Sequence, residues 1–164
     1  MTNHNDGPTE PPSPPDSNEF PVLKTFLGRS PRVLVVEDND IIREAVARWF
    51  ESKGWQVIDA EDGSAFYALV EGIISGDDPS SVVDCIITDV AMPGIDSLSI
   101  LEGLRASGFR HPIVVFSGLG KEELPERVQK LGGAVFLEKP VDVFELYQQV
   151  SEMVRGAIDD RTVH

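Results

Sequence analysis

Cysteine is almost absent from this chain: Cys85 is the only one in 164 residues. A disulfide framework is therefore excluded, and a lone cysteine inside an apolar run reads as a small buried residue of a cytosolic protein. Long hydrophobic runs are missing as well. No stretch approaches the ~20 apolar residues of a membrane helix, and the polar, proline-rich N-terminus does not open like a secretory signal. Positive charge is scarce. Fourteen Lys and Arg stand against 28 Asp and Glu, a formal net charge of −14. Non-specific nucleic-acid binding, which needs cations to displace phosphate counterions, is disfavoured, and so is an anionic membrane surface. Histidine is rare too: His4, His111 and His164 are scattered, which supports neither a histidine metal site nor a phosphohistidine. The expectation is an acidic, soluble, cytoplasmic protein with no nucleic acid and no membrane among its partners.

What is present divides the chain unevenly. Seven of the twelve prolines fall between Met1 and Pro31. That segment has no apolar period before Phe20 and cannot bury enough surface to offset its ordering entropy. Residues 1–30 read as a proline-rich arm, disordered from Met1 to Asn18. Phe20 to Leu27 is more apolar and either docks on something or is an unstructured linker, with the linker favoured. From residue 31 the texture changes. Val33-Leu34-Val35-Val36 is a continuous apolar run, hence a buried strand, and it ends in Glu37-Asp38. Ile41, Ile42, Ala45, Val46, Trp49 and Phe50 then recur at helical spacing. Strands are expected again over Trp55–Ala60, Val82–Asp89, Pro112–Phe116 and Ala134–Leu137. Helices are expected over Asp62–Ile74, after Pro93-Gly94, over Glu122–Leu131, and from Asp142 to Arg155 with Gly156 as its stop. Five strands alternating with helices predict an α/β domain over residues 31–156, a doubly wound, flavodoxin-like, five-stranded parallel sheet with helices on both faces. Residues 157–164 read as a tail with no further domain.

In such a sheet every strand ends on one edge, where ligands bind. Those ends carry Glu37 and Asp38, then Asp89, then Ser117, then Lys139-Pro140. Alone, Asp89 reads most simply as a turn cap, and Glu37-Asp38 as a dipole-favoured helix start. Together, three crowded carboxylates require positive charge. Lys139 is one source and a divalent cation another, and an all-oxygen donor set suits Mg²⁺. With the Ser117 hydroxyl these groups can hold phosphoryl oxygens, and phosphoryl transfer depends mainly on positioning and charge.

The four segments VVEDND, DVAMPG, VVFSG and AVFLEKP, in that order on the ends of the first, third, fourth and fifth strands, resemble the receiver domain of bacterial two-component response regulators. The resemblance covers Arg32 to Arg155. It implies that Asp89 is the phosphoacceptor, taking a phosphoryl group from a phosphohistidine. It implies that Glu37 and Asp38 bind Mg²⁺ together with Asp89 and the backbone carbonyl of Ala91. Lys139 would pair with the phosphoryl oxygens, Ser117 would move to bond them, and Phe136 would occupy the place of the switching aromatic. The implied partners are a sensor histidine kinase or histidine phosphotransfer protein and a separate downstream target, with the chain a monomer or a weak phosphorylation-dependent dimer. It would be a signalling protein and not an enzyme, its switch read on the fourth helix, fifth strand and last helix of the domain.

The chain departs from the family pattern at several places. Phe136 lacks the hydroxyl of the commoner tyrosine, Gly118 replaces alanine, Ser97 replaces glycine, and the loop from Ser75 to Ser81 is long. None of these removes a chemical group from the site. Small Ala91 leaves open the path for a hydrolytic water and apolar Leu119 cannot orient it, so an intermediate phosphoryl lifetime is expected. Two rival readings stand beside the receiver. One is a pseudo-receiver that binds partners without phosphate, which would show as a lost acid or lysine. The other is an aspartyl phosphatase in which Asp38-Asn39-Asp40 is a DxD motif, which would need a late acidic pair behind a strand. Asp159-Asp160 instead follows the last helix.

Overall fold

The computed structural model describes residues 19–77, 82–118 and 123–162, with the backbone alone for 19–22. Strands β1 (Arg32–Val36), β2 (Gln56–Ala60), β3 (Cys85–Asp89), β4 (Ile113–Ser117) and β5 (Ala134–Glu138) form one parallel sheet in the order β2-β1-β3-β4-β5. The chain winds outward from β1 in one direction and from β3 in the other. The crevice where ligands bind in such sheets therefore opens at the carboxyl ends of β1 and β3.

Strand side chains alternate between faces, and this splits the core in two. Leu34, Val36, Ile86, Ile113 and Val115 face α3 (Gly63–Ser75), α4 (Ser97–Ala106) and α5 (Leu124–Lys130). Val33, Val35, Cys85, Ile87, Val114 and Phe116 face α2 (Asp40–Ser52) and α6 (Val143–Thr162). Burial of both faces explains why β1, β3 and β4 are mainly apolar and do not alternate with polar residues. Short polar side chains start the helices: Asn39, Asp62 and Asp96 accept N–H bonds at the starts of α2, α3 and α4, and Asp142 does so at α6. Pro125 lies in the first turn of α5, where its missing N–H costs nothing. Trp49 and Trp55 belong to the core as expected; Trp55 packs edge-on against Phe50 at 5.3 Å between ring centroids.

Two expectations are corrected. The linker reading of Phe20 to Leu27 fails, because residues Glu19–Leu27 form a helix, α1, whose Leu23 is buried in the layer of α2 and α6. Gly28, at φ 67°, turns the chain out of it. Arg29 then grips Asp84 with bonds of 2.8 and 3.0 Å, and Asp84 also accepts the Arg32 N–H at 2.8 Å. Asp84 is almost wholly buried, and these partners supply the compensation that a buried carboxylate requires. The second correction is the stop at Gly156. Helix α6 runs through it to Thr162, so most of residues 157–164 are helical and not a tail. Glycine costs a helix about 1 kcal/mol relative to alanine, and Ile158, continuing the stripe of Val150 and Val154 onto the core, offsets that cost. Arg161 adds a contact of 2.9 Å to the His111 ring. The expected disorder of Met1 to Asn18, most of the long loop before β3, and Leu119 lie outside the described residues.

No helix among the described residues is long and apolar enough to cross a membrane.

Candidate functional site

β1 delivers Glu37 and Asp38 to the crevice, because its four buried residues leave the next two just past the strand's carboxyl end. β3 delivers Asp89 as its last residue, in register with Phe116 of β4. One carboxylate oxygen from each of Glu37, Asp38 and Asp89 lies within 4.8 Å of the others. Their exposures differ. Glu37 is 0% and Asp89 4% exposed, whereas Asp38 faces solvent.

Lys139 closes the cluster from the other half of the sheet. Its Nζ donates to Asp89 Oδ2 at 2.8 Å and to Glu37 Oε2 at 2.9 Å, across 50 and 102 residues of sequence. The Lys139 N–H donates to the Ser117 carbonyl at 2.8 Å, which ties the end of β5 to the end of β4. The peptide bond between Lys139 and Pro140 is cis. The ring of Phe116 lies 4.9 Å from Nζ and forms an apolar wall behind the ammonium. Burial alone would lower the Lys139 pKa, but the bonds to Asp89 and Glu37 outweigh it and hold the group more firmly protonated than a free lysine. Glu37 shifts upward because burial outweighs the help of the Lys139 ammonium and the Asn39 N–H, and Asp89 adds like-charge repulsion.

Backbone donors fix the remaining carboxylate oxygens. The Ala91 N–H donates to Asp89 Oδ1 at 2.8 Å, and the Asn39 N–H donates to Glu37 Oε1 at 3.1 Å. The bond that the structure gives Ala91 is thus through its N–H. Ser117 is buried at the carboxyl end of β4 and pairs in register with Glu138. Phe136 lies apart from the acids. It is half-buried against the layer of α3, α4 and α5, in register with Val115. Asn39 caps α2 and Asp40 pairs with Arg43, so the DxD spacing puts one aspartate and not two among the clustered acids. Asp159-Asp160 lies in the last turns of a helix that begins beside Pro140, about 25 Å away along its axis.

One residue at this edge escaped the sequence reading. Arg43 of α2 donates from Nη1 to the Glu37 carbonyl at 2.9 Å, from Nε to Asp59 at 3.1 Å and from Nη2 to Asp40 at 2.7 Å. Its only sequence signal was an Asp–Arg pair at i, i+3.

The donor set consists of oxygens from two buried carboxylates and one exposed carboxylate, with an ammonium beside them. It fits a hard divalent cation that keeps several waters, held by Glu37, Asp38 and Asp89. It also fits an oxyanion placed between Lys139 and the N–H groups that follow Asp89.

Known proteins fit this arrangement. The model of the response regulator receiver domain matches residues 33–151. Among curated proteins, the transcriptional regulatory protein FixJ of Azorhizobium caulinodans is 38% identical over 67% of this chain and 48% of its own length. The chemotaxis protein CheY of Treponema pallidum is 30% identical over 84% of this chain and 96% of its own. The chain spans about half the length of the two FixJ proteins it matches. Among solved structures, the receiver domain of the Francisella response regulator 1452 superposes with a TM-score of 0.66 at 27% identity, covering 78% of this chain and 99% of that one. A response regulator receiver protein from Pseudomonas putida gives 0.64 at 30% identity, covering 75% and 97%. With the doubly wound sheet, the clustered acids and the lysine across from them, these likenesses show that the chain belongs to the response regulator receiver domain family of two-component signalling.

Proposed function

We propose that this receiver accepts a phosphoryl group on Asp89 with Mg²⁺ present and passes a two-component signal to a protein partner. The observation that carries the reading is the Lys139 ammonium held between Asp89 and Glu37, with Asp38 beside them. Every acid of the constellation and its lysine are present, which favours this reading over a pseudo-receiver. Glu37, Asp38 and Asp89, with the Ala91 carbonyl, would hold the cation, which when bound neutralises charge on the phosphoryl oxygens.

The chain's own groups do the rest. Asp89 presents an oxygen to the phosphorus of a phosphohistidine. The new P–O bond forms as the P–N bond breaks, and the imidazole leaves with its electron pair. The carboxylate is already oriented by the Ala91 N–H on one oxygen and by Lys139 on the other, so little ordering remains at the moment of reaction. Lys139 then follows the charge outward, from the carboxylate to the phosphoryl oxygens. Ser117, on the neighbouring strand end, supplies a hydroxyl donor to the same oxygens. Phe136 would respond by packing alone, and the altered surface would lie on α5, β5 and α6.

The donor is a sensor histidine kinase or histidine phosphotransfer protein, and the reader is a downstream protein, with the chain a monomer or a weak dimer once phosphorylated. The net charge of −14 speaks against direct nucleic-acid contact by this segment. Incubation with acetyl phosphate and Mg²⁺ should add the mass of one phosphoryl group. The gain should vanish when the cation is chelated. A chain whose mass never changes would be an interaction module and not a phosphoacceptor.

A further inference from the structure

Two further carboxylates near the ends of β1 and β2, Asp40 and Asp59, are largely solvent-exposed. Arg43 bonds both, and its third bond goes to the backbone carbonyl of Glu37. Its side chain is 11% exposed, so the guanidinium is itself mostly withdrawn from water. These bonds join the end of β1, the end of β2 and the first turn of α2 through one planar group. They act on the peptide unit that links the two acids of the pair, since the Glu37 carbonyl carbon bonds the Asp38 nitrogen. A rotation of that unit would move the Asp38 carboxylate relative to Glu37 and Asp89.

We infer that Arg43 is a positioning residue for the metal site: it fixes the Glu37–Asp38 peptide so that the acidic pair is preset to receive Mg²⁺, and it withdraws Asp40 and Asp59 from competition for the cation. The inference rests on the Mg²⁺ reading of the cluster. A plain electrostatic role predicts the opposite result. Arg43 is a positive charge near a cation site, so its loss would strengthen Mg²⁺ binding if charge alone mattered. Positioning predicts weaker binding, because partners that orient metal ligands typically contribute 10- to 100-fold in affinity. Arg and Lys also separate the two roles, since a lysine keeps the charge but cannot reach three acceptors in a plane.

Titration calorimetry of the whole chain with Mg²⁺ alone, on wild type, Arg43→Lys, Arg43→Gln and Asp59→Glu, tests the inference. Phosphorylation by acetyl phosphate is followed in parallel at low and at saturating Mg²⁺. Both Arg43 variants should bind Mg²⁺ about tenfold more weakly. Phosphorylation should slow at low Mg²⁺ and recover at saturation. Asp59→Glu, which keeps the charge but displaces the acceptor of Arg43 Nε by one methylene, should weaken binding by a smaller factor where charge alone predicts no change, and it carries the test if the Arg43 variants do not fold. Arg43→Lys equal to wild type, or tighter binding by Arg43→Gln, overturns the inference and leaves the metal site standing. If Arg43 variants fail to fold, unchanged binding by Asp59→Glu overturns it. Wild-type chain that takes up no Mg²⁺ overturns the metal reading and this inference with it.

Discussion

Lys139 balances two carboxylates that the fold withdraws from water, and that balance makes its removal costly in a defined pH range. Glu37 is wholly buried and Asp89 nearly so. Lys139→Met leaves both without their ammonium, and breaking a buried pair costs 3–5 kcal/mol when both partners are dry. Lys139 is 23% exposed, so about 2 kcal/mol is expected at pH 7 without metal. The folded-state pKa of Glu37 lies above its ordinary value, so protonation of Glu37 favours the folded state and stability is lost as pH rises through that raised value. Without Lys139 the shift grows. The stability deficit of the variant should therefore be largest at neutral pH and narrow as pH falls toward 5, as denaturant midpoints at pH 5 and pH 7.5 would measure. A deficit independent of pH would place the loss in packing. At this scale the sequence was informative because each clustered residue terminates a strand, where its chemistry shows beside an apolar run. Arg43 was not legible. It sits on a helix face that reads as solvated, and its role depends on where β2 leaves Asp59.

Elements were legible where their apolar period ran long, and illegible where it was short. Strands β1, β3 and β4 each carry an apolar run of three or four residues ended by a polar one, and α2 carries a full stripe. Helix α1 has neither. It is nine residues long and contains Pro21; among its described side chains Leu23 is buried in the core, and the Arg29–Asp84 pair just after it joins partners 55 residues apart. Leu23→Ala should cost about 2–4 kcal/mol and leave Mg²⁺ affinity unchanged, since Leu23 belongs to the core layer and not to the acidic crevice. Thermal unfolding with calorimetric titration checks both parts. Gly156 misled in the other direction. A glycine after a periodic stripe normally marks a helix end, yet here Ile158 carries the stripe onward. A Cβ at Gly156 would meet nothing within 4 Å. Gly156→Ala should therefore stabilise the protein by about 0.5–1 kcal/mol, and a lower unfolding midpoint would contradict the continuous helix.

At the scale of the whole molecule, binding at one edge of the sheet is tied to the stability of all of it. The acidic cluster draws on β1, β3 and β5, so a cation that binds only the folded chain should raise global stability. One site stabilises by about 2.7 kcal/mol at a ligand concentration of 100 Kd. The melting temperature should climb with Mg²⁺, and Asp38→Asn should flatten that climb. The doubly wound topology was legible as a whole because five alternations of strand and helix leave few other right-handed arrangements. The same topology carries the central claim, since the parallel pairing of β1, β3, β4 and β5 brings residues 37, 89 and 139 to one edge. The most direct test identifies the atom that takes the phosphoryl group. Chain treated with acetyl phosphate and Mg²⁺ is reduced with borohydride, which converts an aspartyl phosphate to homoserine, and the reduced position is located by peptide mass spectrometry. The account predicts conversion at Asp89 and at no other acid. Conversion at Asp38 or Asp40, or a phosphoryl group found on Ser117 with Asp89 unmodified, would contradict it.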